Sequence, residues 1–144
     1  MIDPKRQAEL RHSIELFYFA YRTFTAGPDR ILNQRGLGRV HHRILYFVGR
    51  NPEIVVNDLL GILDVSKQAL NAPLRQLIEM KLMAVRVAPH DRRYKQLRLT
   101  AAGEDLESRL TGTQLRLLAG VFDAAGADTE KAWRAVMMTI PKKI

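Results

Sequence analysis

Cysteine is absent from this 144-residue chain, and that one absence excludes disulfides, thiolate metal sites and thiol-based redox sensing together. Long apolar runs are missing too. The chain opens on Met1-Ile2-Asp3-Pro4-Lys5-Arg6 with no apolar core behind it, so neither a membrane span nor an export signal is expected, and the expected compartment is the cytoplasm. Acids are scarce beside bases, 15 against 23, which leaves a net charge of +8. Such an excess favours a polyanionic partner, because neutralising phosphates releases condensed counterions. There is no repeat at a solenoid period and no low-complexity tract. Catalytic constellations are equally lacking: no nucleophile elbow, phosphate loop or set of paired carboxylates is visible. An enzyme is therefore not expected, nor a cofactor. His41 and His42 are neighbours that point about 100° apart on a helix, and His12 and His90 lie elsewhere, so no metal site is expected.

What is present is a chain with 47% hydrophobic and 26% charged residues, enough for one core and one domain over residues 1–144. Its charge is concentrated. Lys67, Arg75, Lys81, Arg86, Arg92, Arg93, Lys95 and Arg98 stand against Glu79 and Asp91 alone, so this stretch holds six of the eight net charges. Asp3-Pro4 starts a first helix, in which Leu10, Ile14, Phe17, Tyr21 and Phe24 step by four and three. Gly27-Pro28 is expected to end it, with a loop from Asp29 to Gly38. Leu16, Phe19 and Ala20 on the far side exceed what one small core needs, which points to a second subunit.

A second helix spans about Arg39 to Gly49, with Val40, Ile44, Phe47 and Val48 on one face and Asn51-Pro52 closing it. A short helix from about Asn57 to Leu63, the turn Asp64-Val65-Ser66 and a helix from Lys67 to Lys81 follow. Leu70, Leu74, Leu77 and Ile78 mark the inner face of that last helix; Lys67, Gln68, Asn71, Ala72, Arg75 and Gln76 occupy the other. Two short helices about a tight turn, the second basic and polar on its free face, form a helix-turn-helix. Val85 and Val87, then Leu97 and Leu99, alternate as two strands around the polar tip Pro89 to Arg93. Thr100 caps a long helix with Leu106, Leu110, Thr113, Leu117 and Val121 in register. After a break at Gly126, Asp128 or Thr129 is expected to cap a last helix with Trp133, Val136, Met137 and Ile140 inward, stopped by Pro141.

The free face of the Lys67 helix suits a major groove, where Arg pairs with guanine and Asn or Gln with adenine; taken alone it also fits an ordinary solvated face. The Asp91-Arg92-Arg93 tip suits the negative minor groove, and equally a surface ion pair in which Asp91 orients one Arg and leaves the other free. Pro73 removes a backbone bond to Ala69, so a bend is expected within the helix, unless Pro73 merely marks its start. Phe17, Tyr18, Tyr21, Phe24 and His41 form a candidate pocket for a small aromatic effector; an aromatic stripe at helical spacing also fits core or interface.

Val65-Ser66 before a basic helix, Leu77-Ile78-Glu79-Met80-Lys81-Leu82-Met83, Asp91-Arg92-Arg93 and Leu99-Thr100-Ala101-Ala102-Gly103 together resemble the MarR family of transcriptional regulators. The likeness is clear from about Arg39 to Leu106. It implies a mainly α (α+β) fold, α1-α2-α3-α4-β-hairpin-α5-α6. Residues 39–100 would be the winged helix-turn-helix, and 3–27 and 101–144 the dimerisation helices. It further implies a homodimer on a pseudo-palindromic duplex operator, acting as a repressor released by a small, often phenolic, ligand. Carried over by position, Ser66, Lys67, Gln68, Asn71, Ala72 and Arg75 would face the major groove. Arg92 or Arg93 would enter the minor groove, with Asp91 and Lys95 beside them. Lys81 stands where the family typically has Gly, and Met83 where a Val is usual; Pro73 is unusual in the recognition helix. Two other readings remain open: a non-specific architectural DNA binder, and a winged-helix module for an acidic protein partner.

Overall fold

The computed structural model describes residues 1–141. Along it run α1 (Pro4–Gln34), α2 (Arg39–Arg50), β1 (Ile54–Val55), α3 (Val56–Leu63), α4 (Lys67–Glu79), β2 (Met83–Ala88), β3 (Asp91–Leu99), α5 (Ala101–Ala125) and α6 (Ala127–Met138). The fold is mainly α, a winged helix-turn-helix with long helices at both ends. The expected range 101–144 closes on residues 142–144, which lie outside the described residues.

Contrary to expectation, α1 does not stop at Gly27-Pro28 but continues to Gln34, and no loop fills 29–38. Proline lacks the N–H that would bind the Phe24 carbonyl. Gln114 of α5 supplies the replacement, its Nε2 donating to that oxygen at 3.3 Å. Gly27 meets α5 as well: a Cβ there would sit 2.9 Å from the Thr113 Cβ. Gly27-Pro28 is thus where α1 crosses α5. The true stop is Gly36, at φ 69°, with Gly36 N donating to Asn33 O at 3.3 Å and Leu37 N to Leu32 O at 3.0 Å. These two bonds and the buried pair Leu32 and Leu37 make a Schellman ending.

The core lies where α2, α4, the sheet and the first half of α5 meet, around Ile44, Leu45, Leu59, Leu70, Leu77, Leu97, Leu106 and Leu110, each almost fully buried. The sheet has three strands in the order β1-β3-β2, both pairings antiparallel. Ile54 and Val55 pair with Leu97 and Gln96, an edge strand that two residues of sequence do not announce. At the far end of the chain, α6 packs on α5 with Phe122 and Trp133 edge to face at 5.3 Å. Gly126, not Asp128 or Thr129, occupies its cap position. Of the four residues expected inward, only Met137 is half-buried; Trp133, Val136 and Ile140 are exposed, because among the described residues α6 packs chiefly against α5.

Candidate nucleic-acid interface

Asp64 adopts the left-handed conformation at φ 53° and ends α3. Two residues later Ser66 caps α4, its Oγ accepting from Ala69 N at 3.1 Å. The helix then runs without interruption from Lys67 through Pro73 to Glu79, so Pro73 does not mark a helix start. Leu70, Leu74 and Leu77 are buried, while Lys67, Gln68, Asn71, Ala72 and Arg75 are exposed along the opposite side. A 3.6-residue period seats one face in the core and leaves the other to the outside. Ser66 is exposed too, with its hydroxyl proton still available after capping.

Lys81 ends this helix in the left-handed region, φ 61°. Lys81 N donates to Ile78 O at 3.0 Å and Leu82 N to Leu77 O at 3.0 Å, a second Schellman ending with lysine where glycine is favoured. From there β2 and β3 pair evenly from Met83↔Leu99 to Val87↔Lys95, then slip to Ala88↔Asp91. Arg92, Arg93 and Tyr94 have no partner on β2 and bulge from the hairpin. The turn itself is only Pro89-His90, so Asp91 to Arg93 belong to β3 rather than to a loop.

Asp91 settles the division of labour between the two arginines. Its carboxylate accepts from the Arg93 backbone N at 3.0 Å, from Nε at 3.1 Å and from Nη2 at 2.7 Å. These bonds hold the Asp91 carboxyl below the usual carboxylate range and raise the Arg93 guanidinium above its own. The Arg93 side chain remains 82% exposed, oriented but not consumed. Arg92 is exposed and makes no ion pair among the described residues. Lys95 is exposed as well.

Two other wing cations are spoken for. Glu53, beside β1, accepts from Arg86 Nη2 at 2.8 Å and Arg98 Nη2 at 2.5 Å, and Arg86 Nε also donates to Gln96 Oε1 at 3.1 Å. The concentration of charge in sequence therefore overstates the free charge of the hairpin. Nothing in sequence signals this clamp, since its partners lie 33 and 45 residues apart.

The residues of the candidate aromatic pocket do not assemble into one. Phe17 and Tyr18 are exposed on the outer half of α1. Tyr21 is flanked by cations: Arg43 Nη2 donates to its hydroxyl at 2.9 Å, and the Arg39 guanidinium lies 5.5 Å from its ring centre. Arg39 is also forked onto Asp29, with Nη2 at 2.9 Å, which raises its pKa. His41 is buried and turned towards α4, its Nε2 2.8 Å from Gln76 Oε1. A cavity of about 320 Å³ lies alongside instead, among α1, α2 and α5, lined by Phe24, His42, Arg43, Tyr46, Phe47, Thr111, Gln114, Leu115 and Leu118. Only Phe24 belongs to both sets. His42 reaches Thr111 Oγ1 at 3.1 Å, and Thr111 in turn donates to Glu107; burial pushes the imidazole pKa down. Among the described residues no His, Asp and Glu group is arranged to hold a metal ion, and no helix is long and apolar enough to cross a membrane.

A capped recognition helix, a three-stranded sheet with a basic hairpin, and a helix sealing its base define a winged helix-turn-helix protein. Residues 35–93 match the model of the MarR family. The chain is 43% identical over 129 residues to the HTH-type transcriptional regulator PetP of Rhodobacter capsulatus, covering 90% of this chain and 78% of that protein. Its fold is similar to S. aureus MepR in a DNA complex (TM-score 0.71, 19% identity, 88% of this chain and 93% of that one). It is also similar to NadR in complex with 4-hydroxyphenylacetate (TM-score 0.73, 20% identity, 88% and 89%). The chain belongs to the MarR family, whose members are transcriptional regulators and not enzymes.

Proposed function

We propose that this regulator is a cytoplasmic homodimer that binds a pseudo-palindromic duplex operator as a repressor and is released by a small aromatic ligand. One observation carries the DNA reading: the exposed face Lys67, Gln68, Asn71, Ala72 and Arg75 stands on the same basic unit as Arg92, Arg93 and Lys95. Lys67, Arg75, Arg92 and Lys95 make no ion pair within the chain among the described residues. In this reading α4 enters the major groove with Ser66 at its lip, and the bulged arginines of β3 reach the backbone or minor groove. MepR, similar in fold, has been seen bound to DNA.

The dimer reading rests on apolar surface that the single chain leaves uncovered. Ile14, Phe17, Tyr18 and Phe19 on α1, and Leu115, Val121, Trp133 and Val136 on α5 and α6, are all exposed, a large apolar surface for three helices of one chain to leave uncovered. Residues 3–27 and 101–144 would then be the dimerisation helices around the 39–100 DNA-binding part. The ligand reading rests on the cavity beneath α1, whose walls mix aromatic rings with His42, Arg43 and Gln114, and NadR holds an aromatic acid.

Selection from random duplexes tests the whole reading. It should recover an inverted repeat with half-sites about 10 base pairs apart. Recovery without sequence preference would mean an architectural DNA binder, and no duplex binding near physiological salt would mean a protein-interaction module.

A further inference from the structure

His41 and Gln76 form a buried link between α2 and the recognition helix. The Gly38 backbone N–H donates to His41 Nδ1 at 2.9 Å. A backbone N–H can only donate, so Nδ1 is the bare nitrogen of the ring and Nε2 carries the proton. Nε2 lies 2.8 Å from Gln76 Oε1, and a protonated nitrogen requires an acceptor there. The ring thereby fixes which end of the Gln76 amide faces inward: the oxygen faces His41, and the nitrogen points away. That nitrogen has no partner among the described residues, yet no buried side-chain nitrogen or oxygen among them lacks one. The amide nitrogen of half-buried Gln76 therefore reaches solvent. On α4 it sits four residues, about one turn, beyond Ala72 and next to Arg75, on the flank of the exposed face towards α2.

A free glutamine reads adenine with donor and acceptor together. This glutamine turns its oxygen inward to His41 and its donors outward. Phosphate oxygens accept and never donate, and the flank of a helix lying in the major groove is where the backbone passes. We propose that Gln76 donates to a backbone phosphate of the operator, and that His41 is the positioning residue that holds its amide nitrogen outward. The proposal rests on the reading of α4 as the helix that enters DNA.

The test combines Gln76→Ala, His41→Ala and their double variant with duplexes of the selected operator carrying neutral methylphosphonates at single backbone positions. Gln76→Ala should weaken binding about three- to tenfold, the worth of one hydrogen bond. Its slope against salt should be unchanged, because a neutral amide displaces no counterion. One methylphosphonate position that weakens the wild type should have no effect on Gln76→Ala. His41→Ala should lose about as much affinity as Gln76→Ala, and the double variant no more than His41→Ala. Equal affinity of Gln76→Ala and wild type overturns the proposal, as does a methylphosphonate profile that Gln76→Ala leaves intact. Additive losses in the double variant overturn the part assigned to His41. Should His41→Ala fail to fold, Gln76→Ala and the methylphosphonate scan decide the phosphate contact alone, and His41→Phe, which fills the site without a donor, replaces it in the cycle. A wild type that binds no duplex fails earlier, at the DNA reading itself, and takes the proposal with it.

Discussion

Single residues in this chain do work that their chemical type alone does not reveal. Lys81 holds a left-handed conformation that a side chain disfavours by about 1–2 kcal/mol, at φ 61°. Glycine there relieves that strain at some cost in unfolded-chain entropy, so Lys81→Gly should raise the denaturant midpoint by the equivalent of about 0.5–1 kcal/mol. The reverse holds at Gly103, where an added Cβ would lie 1.9 Å from the Leu82 carbonyl oxygen. Gly103→Ala should destabilise by about 1–3 kcal/mol or prevent folding, read as a lowered midpoint in the same measurement. His42 gives a pH dependence with a definite sign. Burial lowers its pKa from 6.5, so the unfolded chain takes up the proton first. Stability from this residue is complete above pH 6.5 and is lost as pH falls through the lower folded value. Thermal unfolding should therefore drop more steeply between pH 7 and 5 in the wild type than in His42→Gln. Part of this residue-scale chemistry was legible in sequence: Ser66 and Thr100 cap as their types suggest, and the family resemblance marks Lys81 as standing where Gly is typical. Glu53 was not, because an acid that neutralises Arg86 and Arg98 does so across three strands and leaves no spacing to read.

Among the elements, those whose ends are set by local chemistry were readable and those set by packing were not. The helix-turn-helix and hairpin follow from periodicity, with apolar residues four and three apart in α4 and two apart in β3. The end of α1 did not follow, because Gly27-Pro28 is a stop signal in an isolated helix and a crossing point once Gln114 caps the orphaned Phe24 carbonyl. The local mark of the true end was Gly36 with Leu37 behind it. β1 has too few residues to show alternation, and the exposed seam of α6 cannot be told from a buried one by period alone. On α4, Asn71→Ala or Arg75→Ala should cost about 1–3 kcal/mol against the selected operator and far less against random duplex, measured by competition titration. On the wing, Arg92→Ala with Arg93→Ala should weaken binding to every duplex and flatten its salt dependence, by a slope of about 0.9 for each phosphate no longer neutralised. Asp91→Asn leaves both guanidiniums but unties Arg93; its salt slope should stay near that of the wild type while affinity falls because Arg93 is no longer oriented.

For the whole molecule, apolar side chains on α1, α5 and α6 are exposed in the single chain, and in the proposed dimer that surface would set the arrangement of two DNA-binding units. The single tryptophan, Trp133, is 45% exposed in the isolated chain and lies on that surface. Diluting the protein through its dissociation range should shift tryptophan emission to longer wavelength, in step with the fall in mass seen by sedimentation. A monomer with unshifted emission at micromolar concentration would exclude the dimer. The packing of Gly103 on Leu82 bears on how such a dimer moves. Thr100 Oγ1 donates to the Lys81 carbonyl at 2.7 Å and Thr100 N to the Leu82 carbonyl at 3.1 Å, while Gly103 N returns to Thr100 Oγ1 at 3.1 Å. Both roots of the hairpin are thus riveted to the first turn of α5, with no joint between them. The wing is a pointer mounted on that helix, so in the proposed dimer a small rotation of α5 would be delivered to Arg92 and Arg93 enlarged by the hairpin's full reach.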